Sequence, residues 1–139
     1  MSYAAVMARR AEIMKKALGV EYDEFETGGI EFDYEAMMTK AAYPFEEVRK
    51  IQKDVGVGDT PLLELKNITE LVRMTSKPGY GARILVKDEA SNPSGSFKDR
   101  RSSISTYQAK KAGYPGVLAA TSGNYGAAVA SQAAMRNLG

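Results

Sequence analysis

Apolar and polar positions alternate along this chain with a period that changes from one segment to the next. From Ser2 to Gly19, Val6, Ile13, Met14, Ala17 and Leu18 recur at roughly helical spacing against Arg9, Arg10, Lys15 and Lys16. That predicts an amphipathic helix stopped by Gly19, with Met7 and Met14 facing a core or a partner chain. Asp33 can cap a short helix through Lys40. Pro44 suits the first turn of another that runs to about Asp54, with Phe45, Val48, Ile51 and Val55 as its apolar side. Between these helices, residues 21–35 are acidic with interspersed aromatics, which reads as a solvated linker whose rings pack onto the main body. Residues 1–55 are therefore expected to form an α-helical arm.

At Gly56-Val57-Gly58-Asp59-Thr60-Pro61 the spacing changes from helical to a turn followed by a short strand over Leu62-Leu63-Glu64-Leu65, so a catalytic α/β body is expected over residues 56–139. Asn67 is positioned to cap a helix over Ile68 to Thr75, and Lys77 to Gly81 form a loop. Ala82 to Lys87 then read as a strand. The next residues, Ser91-Asn92-Pro93-Ser94-Gly95-Ser96-Phe97-Lys98-Asp99-Arg100, make a turn that opens a helix continuing to Lys111. Ser94 or Ser96 can cap that helix. Lys98 then stands in the first helical turn, where unpaired N–H groups create a positive field that disfavours a further cation and favours the free amine. An amine of that kind attacks carbonyls, so the position suits Schiff-base chemistry. Taken alone, the string would also fit an ordinary solvated helix start.

A second strand, turn and helix alters that balance. Val117-Leu118-Ala119-Ala120 read as a buried strand, Thr121-Ser122-Gly123-Asn124-Tyr125-Gly126 as a tight turn and Ala127 to Leu138 as an Ala-rich helix. Gly123 permits close backbone approach, while Ser122 and Asn124 add hydrogen-bonding side chains. If the two strands were a parallel pair joined by a right-handed helical crossover, both turns would reach the same sheet edge, where free helix N–H groups receive a carboxylate or phosphate.

Composition narrows the chemistry. There is no histidine and no cysteine among the 139 residues, which removes disulfides, thiolate catalysis, the Ser-His-Asp triad and the usual zinc signatures. No metal site is expected. The balance of 19 basic and 17 acidic side chains, with no basic tract, gives no reason to expect nucleic acid. No apolar run is long enough for a membrane span, and a soluble cytoplasmic protein is expected. The loop at Lys77-Pro78-Gly79-Tyr80-Gly81 lacks the Lys-Ser/Thr of a phosphate loop.

Together the two motifs resemble those of the fold type II pyridoxal-phosphate enzymes, which include threonine synthase, cysteine synthase and the serine and threonine dehydratases. The resemblance implies an α/β fold: an open sheet like that of the tryptophan synthase β chain, here incomplete, with the helical arm outside the shared core. It also implies that Lys98 carries pyridoxal 5'-phosphate. Asn124 would face the cofactor ring, and Thr121, Ser122, Gly123, Asn124 and Tyr125 would receive the substrate carboxylate. The acidic connector and the Gly-Asp-Thr-Pro-Leu-Leu-Glu-Leu strand look most like the β subunits of 2-amino-4-oxopentanoate thiolases. Membership there would imply coenzyme A and an amino-keto acid as substrates, alanine and acetyl-coenzyme A as products of ornithine breakdown, a small α subunit as partner, and a homo- or hetero-oligomer. The motifs alone would equally fit a threonine synthase-like lyase or an amino-acid dehydratase. In that family the Gly-rich phosphate loop and the residue facing the pyridine nitrogen lie beyond Gly139, so the chain is expected to be the N-terminal part of a longer enzyme, inactive alone. A non-catalytic subunit-docking module is the reading from another class.

Overall fold

The computed structural model describes residues 2–139, which divide into two compact units, one running to Lys50 and the other Ile51–Gly139. In the first unit the expected N-terminal helix is two helices, α1 (Tyr3–Met7) and α2 (Arg10–Leu18). Arg9 leaves helical geometry between them and pairs with Glu12 through both guanidinium and carboxylate, at 2.9 and 2.7 Å. Gly19, with φ 72°, ends α2 in the left-handed conformation expected of it. The acidic segment is more ordered than a linker. After a 3-10 turn at Tyr22–Phe25, strands β1 (Glu26–Gly28) and β2 (Glu31–Phe32) pair antiparallel, and Phe25 is buried with Val20 and Met37, flanked by Met14, Leu18 and Phe32. The aromatic rings cluster with one another because this unit has its own small core. Tyr22 and Tyr34 lie 4.8 and 4.7 Å from the Phe32 centroid. Asp33 caps α3 (Tyr34–Lys40), accepting from the Ala36 N–H at 2.9 Å, and α4 spans Phe45–Lys53.

The second unit opens with the last turn of α4, where Ile51 is buried. Strand β3 (Leu62–Glu64) pairs with β4 (Leu85–Lys87) in antiparallel register, Leu63 opposite Val86. The parallel pair expected of the strand before Lys98 and the run at 117–120 is not formed among the described residues, where β4 pairs with β3. Residues 117–120, expected as a buried strand, form neither helix nor strand; two backbone bonds of 2.9 Å tie Pro115 and Val117 to Gly139. Periodicity identifies a run as extended; it carries no information about the partner strand. Nor are the strand residues buried, since Leu62, Leu63, Leu85, Val86 and Leu118 are all exposed.

Helix α5 runs over Lys66–Thr75, with Leu65 rather than Asn67 at its N-cap. Its buried Thr69 accepts from the Ile84 N–H at 2.9 Å, which docks the helix on the approach to β4.

The body of this unit is the packing of α6 (Lys98–Lys111) against α7 (Asn124–Met135). The α6 face is unusual in being polar. Ser102, Ser103 and Thr106 are buried, and each hydroxyl donates to a carbonyl of its own helix, so none is orphaned. Ala128, Val129 and Ala133 are the buried apolar residues of α7, and such small side chains permit close helix approach. Arg136 bridges the unit, donating to Thr106 Oγ1 at 3.3 Å, to the Ser103 carbonyl at 3.4 Å and to the Ile51 carbonyl at 3.5 Å. Among the described residues, no helix is long and apolar enough to cross a membrane.

Candidate active site

Lys98 is the first residue of α6, and the loop that delivers it from β4 is held at two points. The first is an ion-pair network. Arg100 donates to both Glu89 oxygens, at 2.6 and 2.8 Å, and to Thr60 Oγ1 at 3.3 Å, while the Thr60 hydroxyl donates to Glu89 at 2.8 Å. Asn92 completes the network, donating to Glu89 Oε2 at 3.0 Å and accepting from the Gly58 N–H at 3.1 Å. The Arg100 guanidinium, with Thr60 and Asn92, holds the Glu89 carboxyl down at about 2.

The second point is Asp99, fully buried, which accepts from the Ser94 N–H and hydroxyl at 2.8 and 2.6 Å and from Gln132 Nε2 at 3.1 Å. The capping relation is thus the reverse of the expected one. The helix residue Asp99 reaches back to Ser94, and Ser96 contributes only a long contact of 3.4 Å to the Lys98 N–H.

Asp99 and Arg100 both turn inward, and the helix therefore presents Lys98 and Arg101 on another side. These two residues, with Phe97, Ala120, Thr121, Ser122 and Tyr125, line a cleft of about 350 Å³. Lys98 is half-buried, its Nζ lying 3.9 Å from the Phe97 ring centroid. Lys98 also borders an adjoining hollow with Thr121, Ser122, Gly123, Asn124 and Tyr125. All the residues singled out in the sequence therefore meet at one place, although helix packing rather than a shared sheet edge brings them there.

The turn at 121–126 is organised from within. Thr121 Oγ1 accepts from the Gly123 N–H at 3.1 Å and from the Gly126 N–H at 2.9 Å, so its hydroxyl is engaged by the loop itself. Asn124 begins α7, one turn earlier than the periodicity predicts. Among the described residues, the backbone N–H groups of Ser122, Asn124 and Tyr125 have no hydrogen-bond partner within the chain. Free amides at a helix start, with an amine across the cleft, suit a carbonyl-bearing, anionic ligand, and pyridoxal phosphate has that chemistry. No His, Cys, Asp or Glu cluster among the described residues could hold a metal ion.

The sequence assigned no site role to Phe97 or Gln132, and marked Arg101 only as a charge close to Lys98. Arg101 lies three residues after Lys98, hence on the same helix face, and Gln132 is a lone amide in an Ala-rich stretch, so both carried a signal.

Residues 53–139 match the family described as pyridoxal-phosphate dependent enzyme. The chain is 74% identical over 138 residues to a 2-amino-4-ketopentanoate thiolase beta subunit from an unknown prokaryotic organism, and 63% identical over 138 residues to that of Acetoanaerobium sticklandii. Each alignment covers 99% of this chain and 29% of the relative, so the chain spans under a third of the length of these proteins. Threonine synthase of Halalkalibacterium halodurans is 36% identical over 84 residues, or 60% of this chain and 22% of that protein. No solved structure matches. With the family match covering more than half of its residues, the chain belongs to the pyridoxal-phosphate dependent enzymes.

Proposed function

We propose that this chain forms the N-terminal part of the β subunit of a thiolase that cleaves 2-amino-4-oxopentanoate with coenzyme A, giving alanine and acetyl-coenzyme A, and that Lys98 is its cofactor-bearing residue. The observation that carries the site is the meeting of Lys98 with Thr121, Ser122 and Tyr125 in one cleft. The choice of substrate rests on the thiolase beta subunits that are 74% and 63% identical.

Pyridoxal phosphate, when bound, supplies an electron sink for charge developing on the carbons next to the substrate nitrogen. The chain's own residues supply the rest. Lys98 would hold the cofactor through Nζ, and its amine, when free, would serve as base and acid toward the substrate. The free N–H groups of Ser122, Asn124 and Tyr125 receive the substrate carboxylate. Asn124 adds a side-chain amide toward the cofactor ring. Thr121 contributes by shaping the turn. In the reaction the bond between C3 and C4 breaks, the acyl group passes to the coenzyme sulfur, and the electron pair left on C3 takes a proton to become the methyl group of alanine.

The remaining parts of the proposal are a small α subunit as partner and an open α/β sheet completed by the rest of the polypeptide. The test uses the full-length subunit with its partner. Incubation with pyridoxal phosphate, borohydride reduction and peptide mapping is expected to label Lys98 selectively, and Lys98→Ala to abolish the label. Acetyl-coenzyme A formed from 2-amino-4-oxopentanoate identifies the thiolase. A labelled enzyme that forms none points instead to a lyase or dehydratase of the same family. A protein that binds its partner without taking up the cofactor is a docking module.

A further inference from the structure

The cleft holds a second cation that the roles above do not use. Arg101 lines it beside Lys98, three residues further along α6, so the two side chains leave the same face of the helix, with Cβ atoms roughly 5–6 Å apart. Its guanidinium sits 4.9 Å from the centroid of the Tyr125 ring. That ring belongs to the turn on the other side of the cleft, so Arg101 has a platform within the site. Among the described residues no carboxylate pairs with it, whereas its neighbour Arg100 is held by both oxygens of Glu89. An exposed arginine over an aromatic face, beside an amine and without a counter-ion, is poised for an anion that arrives with the ligand.

The anionic groups of the reactants are not equally suited. The substrate carboxylate already has the free amides of the 121–125 turn. Coenzyme A carries its phosphates at the far end of a long flexible arm, away from the sulfur, whereas Arg101 is one helical turn from the amine that works on the reacting carbons. One further negative charge forms close to that centre. When the coenzyme sulfur bonds to C4, the carbonyl π pair moves onto oxygen. The resulting alkoxide then collapses, expelling C3 with the C3–C4 electron pair, and C3 takes a proton.

We propose that Arg101, held over Tyr125, is the group that stabilises this C4 oxyanion, and is therefore a catalytic residue required for thiolysis but not for amino-acid chemistry at C2. This rests on the thiolase reading. It predicts that the two halves of the chemistry separate in Arg101 variants.

The test takes the full-length enzyme with its partner subunit and cofactor, comparing wild type, Arg101→Met and Arg101→Lys. Two rates are followed: acetyl-coenzyme A formation, and exchange of the alanine C2 hydrogen with D₂O by NMR, which needs Lys98 and cofactor but creates no C4 oxyanion. Arg101→Met should lower thiolysis about 100-fold, the usual scale for losing one oxyanion donor, with alanine exchange within about twofold of wild type and partial recovery in Arg101→Lys. An equilibrium readout accompanies the rates. Binding of 2-amino-3-phosphonopropanoate, whose tetrahedral phosphorus stands where C4 would be, should weaken at least tenfold in Arg101→Met, while 2-aminopentanoate, which lacks oxygen at that position, binds unchanged.

Equal losses of thiolysis and exchange would mean that Arg101 shapes the site or holds the carboxylate, and would overturn the proposal. So would unchanged thiolysis, or a defect confined to the KM for coenzyme A, which would assign Arg101 to a coenzyme phosphate. If wild type exchanges alanine hydrogen but makes no acetyl-coenzyme A, the thiolase reading itself fails, a result distinct from any behaviour of the variants.

Discussion

Gln132 on α7 donates to Asp99 on α6 at 3.1 Å, with both residues fully buried, and this one bond ties the residue after Lys98 to the helix that the 121–125 turn begins. The separation of the amine from the turn amides therefore depends on a contact outside the cleft. Asp99→Ala strips the Ser94 N–H, the Ser94 hydroxyl and Gln132 of their acceptor, and is expected to cost about 3 kcal/mol. Gln132→Leu should cost less, about 1 kcal/mol, because Gln132 Oε1 has no partner and its removal also relieves a buried orphan. Gln132→Glu, which sets a second carboxylate against Asp99, should be worse than Leu. Thermal unfolding of the full-length protein at fixed cofactor concentration checks the order. A finding that Leu is as damaging as Glu would contradict it.

The Glu89 and Arg100 pair makes the loop before Lys98 sensitive to acid. The folded-state pKa of Glu89 lies near 2, below its ordinary 4.5, so the pair's contribution is complete above about 4.5 and is lost as pH falls toward 2. Glu89→Gln should lower the thermal midpoint at neutral pH and flatten this part of its acid limb, so that wild type and variant converge near pH 2. Midpoints measured from pH 6 to pH 2 provide the check, and parallel curves would refute the assignment.

The first unit offers an independent test of its core. Phe25 is 5% exposed and packs with Val20 and Met37, so Phe25→Ala should destabilise this unit by about 3 kcal/mol. Glu31→Ala, at an exposed site on β2, should change little. Limited proteolysis of the full-length protein, with cleavage sites mapped within residues 1–50, is expected to show faster cutting for Phe25→Ala only.

The contrast between these elements explains what was legible in the sequence. Helix ends were readable where a residue acts through its own backbone or a local cap, as with Gly19 and Asp33. The grouping of Lys98 with the 121–125 turn was legible because two strand-turn-helix motifs follow one another in the chain, and these residues do line shared clefts. Strand partners were not, because β3 and β4 meet through contacts distant in sequence that periodicity does not encode. The acidic segment misled for a related reason. Its rings were expected to pack and do, but its charges suggested a solvated linker, whereas Phe25 and Phe32 belong to a small core with residues from α2 and α3. The buried face of α6 is serine and threonine, which hydrophobic patterning reads as surface.

Thr121 and Gly126 define the shape of the turn, and their fit gives a prediction with a built-in rescue. A Cβ added at Gly126 would lie 2.3 Å from Thr121 Cγ2 and 3.3 Å from its Oγ1. Gly126→Ala should therefore push Thr121 aside, break its hydrogen bonds to the Gly123 and Gly126 N–H groups, and disorder the amides that face the cleft. We expect affinity for the amino-acid substrate to fall at least tenfold, roughly the loss of one or two charge-assisted hydrogen bonds. Thr121→Ser alone keeps the hydroxyl and should be mild. Combined with Gly126→Ala, it removes the colliding methyl group and should restore most of the affinity. Titration of the cofactor absorbance with alanine measures all four proteins. If the double variant were no better than Gly126→Ala, the steric account of the turn would be wrong, and the glycine would instead be required for its backbone conformation or for room that a ligand occupies.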